Sequence, residues 1–267
     1  MHSPQVRPPA VAGMFYPGDP EQLAAEVDGM LAAARPSALR PKALVVPHAG
    51  YVYSGPVAAH AYALLAPLRG TIARVVLFGP THRAYVSGLA VPGCDAFCTP
   101  LGSIPLDKEA IAAALRLPQV KTSDDVHAPE HSLEVQLPFL QEVLGDFRLA
   151  PFAVGEASAD EVAEVMDALW GGAETLIVVS SDLSHYHPYA AAQRIDRRTA
   201  DDILRLHALQ DYEQACGALP INGLLAAAPR HGLTPHLLDL RNSGDTAGDK
   251  SRVVGYAAFA FTERADG

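Results

Sequence analysis

Short apolar runs, each stopped by a proline, a glycine or a polar cluster, set the pattern of this chain. Leu44-Val45-Val46 breaks at Pro47, with His48 directly behind it. Val75-Val76-Leu77-Phe78 ends in Gly79-Pro80-Thr81-His82, and Leu176-Ile177-Val178-Val179 ends in Ser180-Ser181-Asp182-Leu183-Ser184-His185. β-Branched runs closed by turn signals are read as buried parallel strands. The pattern predicts strands over 43–47, 74–78, 148–154, 175–180 and 236–241, and a last one from Val253 to Phe261. Residues 86–105 alternate short apolar stretches with Pro and Gly turns, a β-rich connection.

Helical periods fill the intervals. Asp19-Pro20-Glu21 is a helix start, with Leu23, Val27, Met30 and Leu31 as the buried stripe. Ser54-Gly55-Pro56 opens a helix through about Leu65, with His60 packed among alanines or at the surface. Asp107 caps Lys108 to Leu117. Further helices are predicted over 159–170, Tyr189 to Leu206, 211–217 and 220–230. Pro129 suits a helix start, which puts His131 and Glu134 on one face. Pro138 within that pattern predicts a kink or an early end. The alternation of strands and helices, without repeat or linker, predicts an α/β fold: a single domain over 1–267 with a central mixed β-sheet flanked by helices.

Composition narrows the function classes. The chain has 267 residues, 49% of them hydrophobic, and a formal charge of −10. That balance argues against nucleic acid or an anionic membrane surface as partner. No apolar run reaches the ~18 residues of a membrane span, and none follows Met1 as a signal peptide would. Cys94, Cys98 and Cys216 form no disulfide framework, which fits a reducing cytoplasm. Cys94 and Cys98 lack zinc-ligand partners at suitable spacing and are read as structural.

The candidate chemistry lies at the strand ends. In open α/β sheets ligands bind beyond the carboxyl ends of the strands, where His48, His82 and His185 would meet. A lone strand-end histidine is more often a packed residue; three in one context favour a site. Two imidazoles and a carboxylate leave positions open for oxygen and substrate, as in non-haem iron oxygenases. Asp245, in the polar Gly-rich loop 242–250, is the candidate carboxylate. Asp182 and His185 are an acid–base pair, or a ligand with its orienting group. His131 and Glu134 are either a solvated helix pair or a pair beside the site. No G-x-S-x-G elbow surrounds Ser180, Ser181 and Ser184, and Gly50 and Gly55 fit neither a dinucleotide fingerprint nor a P-loop.

Motifs along nearly the whole chain resemble the Memo-like family, known in bacteria and archaea as AmmeMemoRadiSam system protein B. They are Arg7-Pro8-Pro9-Ala10-Val11-Ala12-Gly13-Met14-Phe15-Tyr16-Pro17, Pro47-His48-Ala49-Gly50-Tyr51, Gly79-Pro80-Thr81-His82, Glu130-His131-Ser132-Leu133-Glu134, Ser180-Ser181-Asp182-Leu183-Ser184-His185 and Gly255-Tyr256-Ala257-Ala258. The resemblance implies a fold like that of class III extradiol ring-cleaving dioxygenases. It maps the metal-site histidines onto His48, His82 and His185, with His185 also the acid–base residue. It places a metal-site cysteine of animal members at Thr246, beside Asp245, so no thiol ligand is expected here. Cys216-Gly217 resembles a Cys-Gly pair of the family without an assigned role.

A carboxylate from Asp245, with Asp249 less favoured, makes a hard site suited to iron(II) over copper or zinc. The expected function is a metal-dependent, dioxygenase-like oxidoreductase acting on an unidentified small molecule or peptide. The alternatives are a non-catalytic metal- or peptide-binding protein and a metal-dependent hydrolase. The family name further implies association with an AMMECR-domain protein and a radical S-adenosylmethionine protein.

Overall fold

Four of the apolar runs lie side by side as parallel strands at the centre of one sheet. The computed structural model describes residues 5–210 and 212–263. In chain order the strands are β1 Val6–Arg7, β2 Ala43–Val46, β3 Arg74–Pro80, β4 Leu89–Val91, β5 Ala96–Thr99, β6 Gly102–Pro105, β7 Val120–Thr122, β8 Arg148–Val154, β9 Thr175–Ser180, β10 His185–His187, β11 Leu233–Asn242 and β12 Val253–Glu263. The helices are α1 Pro20–Ala33, α2 Tyr51–Tyr62, α3 Lys108–Ala114, α4 Asp124–His127, α5 Leu137–Leu144, α6 Ala159–Ala168, α7 Tyr189–Leu204, α8 Ala218–Ala227 and α9 Ser243–Thr246.

The nine-stranded sheet runs β10-β12-β2-β9-β3-β8-β4-β7, with β11 also on β12. β2, β9, β3 and β8 are mutually parallel, whereas β12 and β4 join them antiparallel. The sheet is therefore mixed and flanked by helices, the expected class. β1, β5 and β6 form a second, three-stranded sheet. The central strands are buried along their length, which is why they read as continuous apolar runs rather than alternating ones. α2 packs on β2 and β12 and carries α1 and α5; α8 packs on β3 and β9 and carries α6; α7 covers β11 and β12. No helix among the described residues is long and apolar enough to cross a membrane.

Local chemistry sets the helix starts. Asp19 accepts from Gln22 N, Asp107 from Ala110 N, and Ser158 forms a capping box with Glu161. Four expectations fail. The second helix begins at Tyr51, not Ser54, because Gly50 serves as its N-cap and Pro56 is accommodated inside it. No helix starts at Pro129. The Glu130 carboxylate takes the amide protons of His131 and Ser132, a local turn that competes with helix formation. A short 3₁₀ turn, Glu134–Gln136, then leads into α5, where Pro138 sits in the first turn and kinks nothing. Residues 212–217 make turns rather than a helix, and residue 211 lies outside the described residues.

The carboxyl ends of β2, β3, β8 and β9 point to one edge of the sheet, as their parallel register requires. Beyond β9 the chain is tied down twice to Gly255 of β12: Leu183 N donates to its carbonyl, and its amide donates to the Ser184 carbonyl. Asp196 of α7 accepts from Ser184 N and lies so close that a Cβ at Gly255 would stand 2.2 Å from its Oδ2. Burial raises the Asp196 carboxyl to about 6, against hydrogen bonding from Ser184 that lowers it. An unfolded aspartate titrates near ~4, so between these values the folded chain binds the extra proton. This group's contribution to stability is then full below pH ~4 and is lost as pH rises through about 6. Asp196→Asn should therefore gain on the order of 2 kcal/mol over wild type at pH 8 and little at pH 4. Urea denaturation at both pH values measures this; an equal difference at the two would contradict it.

Candidate metal centre

His48 follows β2 and His82 follows β3, so the parallel strands carry both rings to the same edge. His131 arrives from the turn between α4 and the 3₁₀ turn. The ring centroids stand 5.1 Å (His48–His82), 5.5 Å (His48–His131) and 4.6 Å (His82–His131) apart. One ring nitrogen from each lies within 4.8 Å of the others.

Hydrogen-bond accounting fixes the His48 tautomer. The Ser180 hydroxyl has one proton and donates it to the Ser132 carbonyl at 2.6 Å. It therefore accepts from His48 Nδ1 at 2.8 Å and from Gln136 Nε2 at 2.8 Å. Gln136 has no freedom to flip: its amide nitrogen also donates to the Pro47 carbonyl, and its oxygen accepts from the Tyr62 hydroxyl. His48 Nδ1 thus carries the proton and Nε2 presents a lone pair.

Glu130 does the same for His82. Its buried carboxylate accepts from His82 N, His82 Nδ1 at 2.9 Å, His131 N and Ser132 N. His131 Nδ1 stands 3.4 Å from the same Oε1. Burial would raise the Glu130 carboxyl, but the His82 hydrogen bond and charge and the Ser132 and His82 amides outweigh it and hold it at about 2. An ionised acceptor places a ring proton of His82 on Nδ1.

Two of the rings are held neutral. Burial, and then the neighbouring His82, His131 and His185, hold His48 well below its usual range, and burial holds His131 at about 4. Neutral imidazoles whose second nitrogen is tied to a carboxylate or hydroxyl are the arrangement of metal-ligating histidines. This donor set fits a divalent transition metal.

The other expected residues fall elsewhere. His185 is close enough to lower His48 but is not in the trio; its ring bonds to the Leu183 backbone, and burial lowers its pKa. Asp182 does not orient His185. It accepts from the His48 amide at 2.7 Å and from Ala49, and burial raises it to about 7. Glu134 is neither solvated nor beside the rings: its carboxylate is filled by Arg7 Nη1, Ala10 N, Val11 N and the Tyr16 hydroxyl. Asp245 is no part of the cluster. Its Oδ2 takes the Asn242 amide in the capping box of α9, and its Oδ1 takes the Tyr189 hydroxyl. Thr246 donates to Ser243 O, and Asp249 is bonded to Ser251. The loop carboxylates are spent on capping their own backbone.

Two further groups stand at the rings. Glu130 supplies the carboxylate, from behind the rings rather than beside them. Cys216 supplies the thiol not expected here: Sγ stands 3.3 Å from His48 Nε2, and burial pushes it up to about 12. A cysteine-glycine pair directly before an apolar helix was the only sequence signal for it.

A cleft of about 990 Å³ opens on this side of the cluster. His82, His185, His187 and Cys216 line it, with Val86, Val154, Leu219 and Pro220 as apolar walls. Tyr186 has a positive φ of 61° between the two histidines that face the cleft, a strained conformation of the kind that clusters at functional sites.

Comparison with known proteins finds relatives along nearly the whole chain. The profile described as Memo-like protein matches residues 7–260. A MEMO1 family protein of Methanopyrus kandleri is 39% identical over 279 residues, covering 96% of this chain and 98% of its own length. One from Methanosarcina barkeri is 40% identical over 268 residues (95% and 99%), and one from Aquifex aeolicus 36% over 269 residues (96% and 99%). An uncharacterized protein from Escherichia coli K12 shares the fold at a TM-score of 0.54 and 13% identity, over 82% of this chain and 99% of its own.

The hydrogen-bond network predicts unequal effects of two carboxylate substitutions. Glu130→Gln should weaken divalent-metal binding roughly 10–100-fold, because the amide cannot accept from four donors with the same charge. Asp245→Ala should leave it unchanged. Anaerobic titration of both variants checks this; a larger loss for Asp245→Ala would restore that residue to the site.

Proposed function

The chain belongs to the Memo-like family, and from that premise we propose that it is a metal-dependent oxidoreductase of extradiol-dioxygenase type. His48, His82 and His131 would hold one divalent metal, most readily iron(II), beside a cleft that takes a small molecule. The observation that carries this reading is the trio of imidazoles with ring nitrogens within 4.8 Å, turned inward by Ser180 and Glu130. Bound iron(II) would supply dioxygen and one-electron chemistry.

The chain's own residues have separable tasks. Glu130 fixes His82 and places a negative charge one hydrogen bond behind the rings, which offsets part of the charge three neutral imidazoles leave uncompensated. Asp182 holds the backbone at His48. His185 lines the cleft with a ring whose pKa is lowered by burial; uncharged at neutral pH, it is able to accept a proton from a bound molecule. The apolar walls exclude water from the ligand's body.

One observation favours a second reading, metal binding without turnover. Cys216 Sγ beside His48 Nε2 adds a soft donor, and thiolate with imidazole suits zinc or copper(I). Metal preference separates the two. Anaerobic reconstitution followed by elemental analysis should give one iron per chain, and His131→Ala should lower iron affinity roughly 100-fold or more. Cys216→Ser should leave iron binding within a few-fold. Wild-type affinity in His131→Ala, or abolition of binding in Cys216→Ser, would move the reading to a thiolate site.

A further inference from the structure

The three rings are not equally held. His82 has a 2.9 Å hydrogen bond from Nδ1 to Glu130 Oε1, and His48 has one of 2.8 Å to Ser180. His131 Nδ1 stands 3.4 Å from Glu130 Oε1, an oxygen that already accepts from His82 Nδ1, His131 N and Ser132 N. At that distance, on a filled acceptor, the contact is too weak to set the ring. Packing must set it, and the ring of Phe15 lies against it, centroids 4.8 Å apart at 56°.

Phe15 belongs to a segment that is fastened at both sides of the cluster. Its carbonyl accepts from Tyr51 N at 2.7 Å, three residues after His48, and a Cβ at Gly50 would stand 3.5 Å from that oxygen. On the other side the buried Glu134 carboxylate accepts from Ala10 N, Val11 N and the Tyr16 hydroxyl at 2.7, 2.9 and 2.6 Å. Arg7 Nη1 neutralises it at 2.6 Å, while Arg7 Nε and Nη2 donate to the His127 and Glu130 carbonyls. One ion pair thus secures the segment and the turn that bears His131.

We infer that the N-terminal segment Ala10–Tyr16 is a wall of the metal centre, in which Phe15 sets the ring of His131 and Glu134 is a positioning residue acting through it. The inference rests on the metal reading above. A carboxylate used only for stability would be replaceable by apolar packing; here its acceptors fix the two ends of a loop whose tip touches a ligand ring.

Cobalt(II) titration followed in the visible tests this, because the d–d bands report coordination geometry independently of turnover. Phe15→Ala should bind cobalt roughly tenfold more weakly and with altered bands, and Phe15→Tyr, which keeps the ring, should restore both. Glu134→Gln should give the same spectral change, with the Phe15→Ala/Glu134→Gln double variant no worse than the more affected single one. Circular dichroism and melting curves report folding separately, and if Glu134→Gln does not fold, the Phe15 pair decides alone. Wild-type affinity and bands in Phe15→Ala would overturn the inference even where its melting temperature falls. Failure of the wild type to bind cobalt would instead remove the metal reading beneath it.

Discussion

A single buried carboxylate, Glu130, is the constraint on which the centre depends. It accepts from the backbone amides of His82, His131 and Ser132 and from the His82 ring. The loop after β3 and the turn after α4 are brought together by this one group. A buried carboxylate without such partners would be costly or protonated; with them it stays ionised and holds the ring proton of His82 away from the cleft. Its own backbone is tied to Arg7 through the Glu130 carbonyl, so the N-terminal segment and the centre are parts of one hydrogen-bonded unit.

The sheet supplies the rest of the rigidity. β2, β9 and β3 are parallel and adjacent, which puts His48, Ser180 and His82 at neighbouring strand ends. Ser180 closes the last position of β9, buried, and reads the His48 tautomer through a hydroxyl whose proton is already committed to Ser132. Tyr62 and Gln136 complete that chain from α2 and the 3₁₀ turn. Nothing in this arrangement needs a mobile loop, which suits a site that must hold ligand atoms in a fixed geometry.

The sequence made some of this legible and not the rest. Apolar runs with punctuated ends revealed the parallel strands, and the rule for ligand sites in α/β sheets then pointed to His48 and His82. Glu130 was hidden because its partner His82 is 48 positions away and the intervening chain gives no periodic signal. A helix from Pro129 would pair His131 and Glu134 on one face; the turn at Glu130 breaks that period and sends them to separate places. Loop position singles out Asp245, yet an aspartate three residues after an asparagine cap bonds to its own backbone. Cys216 approaches His48 from 168 positions along the chain, a contact that only the packing of α8 on the sheet reveals.

The function proposed for this protein depends on His48, His82 and His131 holding a metal. Anomalous diffraction at the iron edge, from crystals of anaerobically reconstituted protein, tests it most directly. One peak in contact with a ring nitrogen of each of the three histidines is expected, with Glu130 behind them and Asp245 apart. A peak on His185 or Asp245 without His131, or no peak at the strand ends, would contradict it.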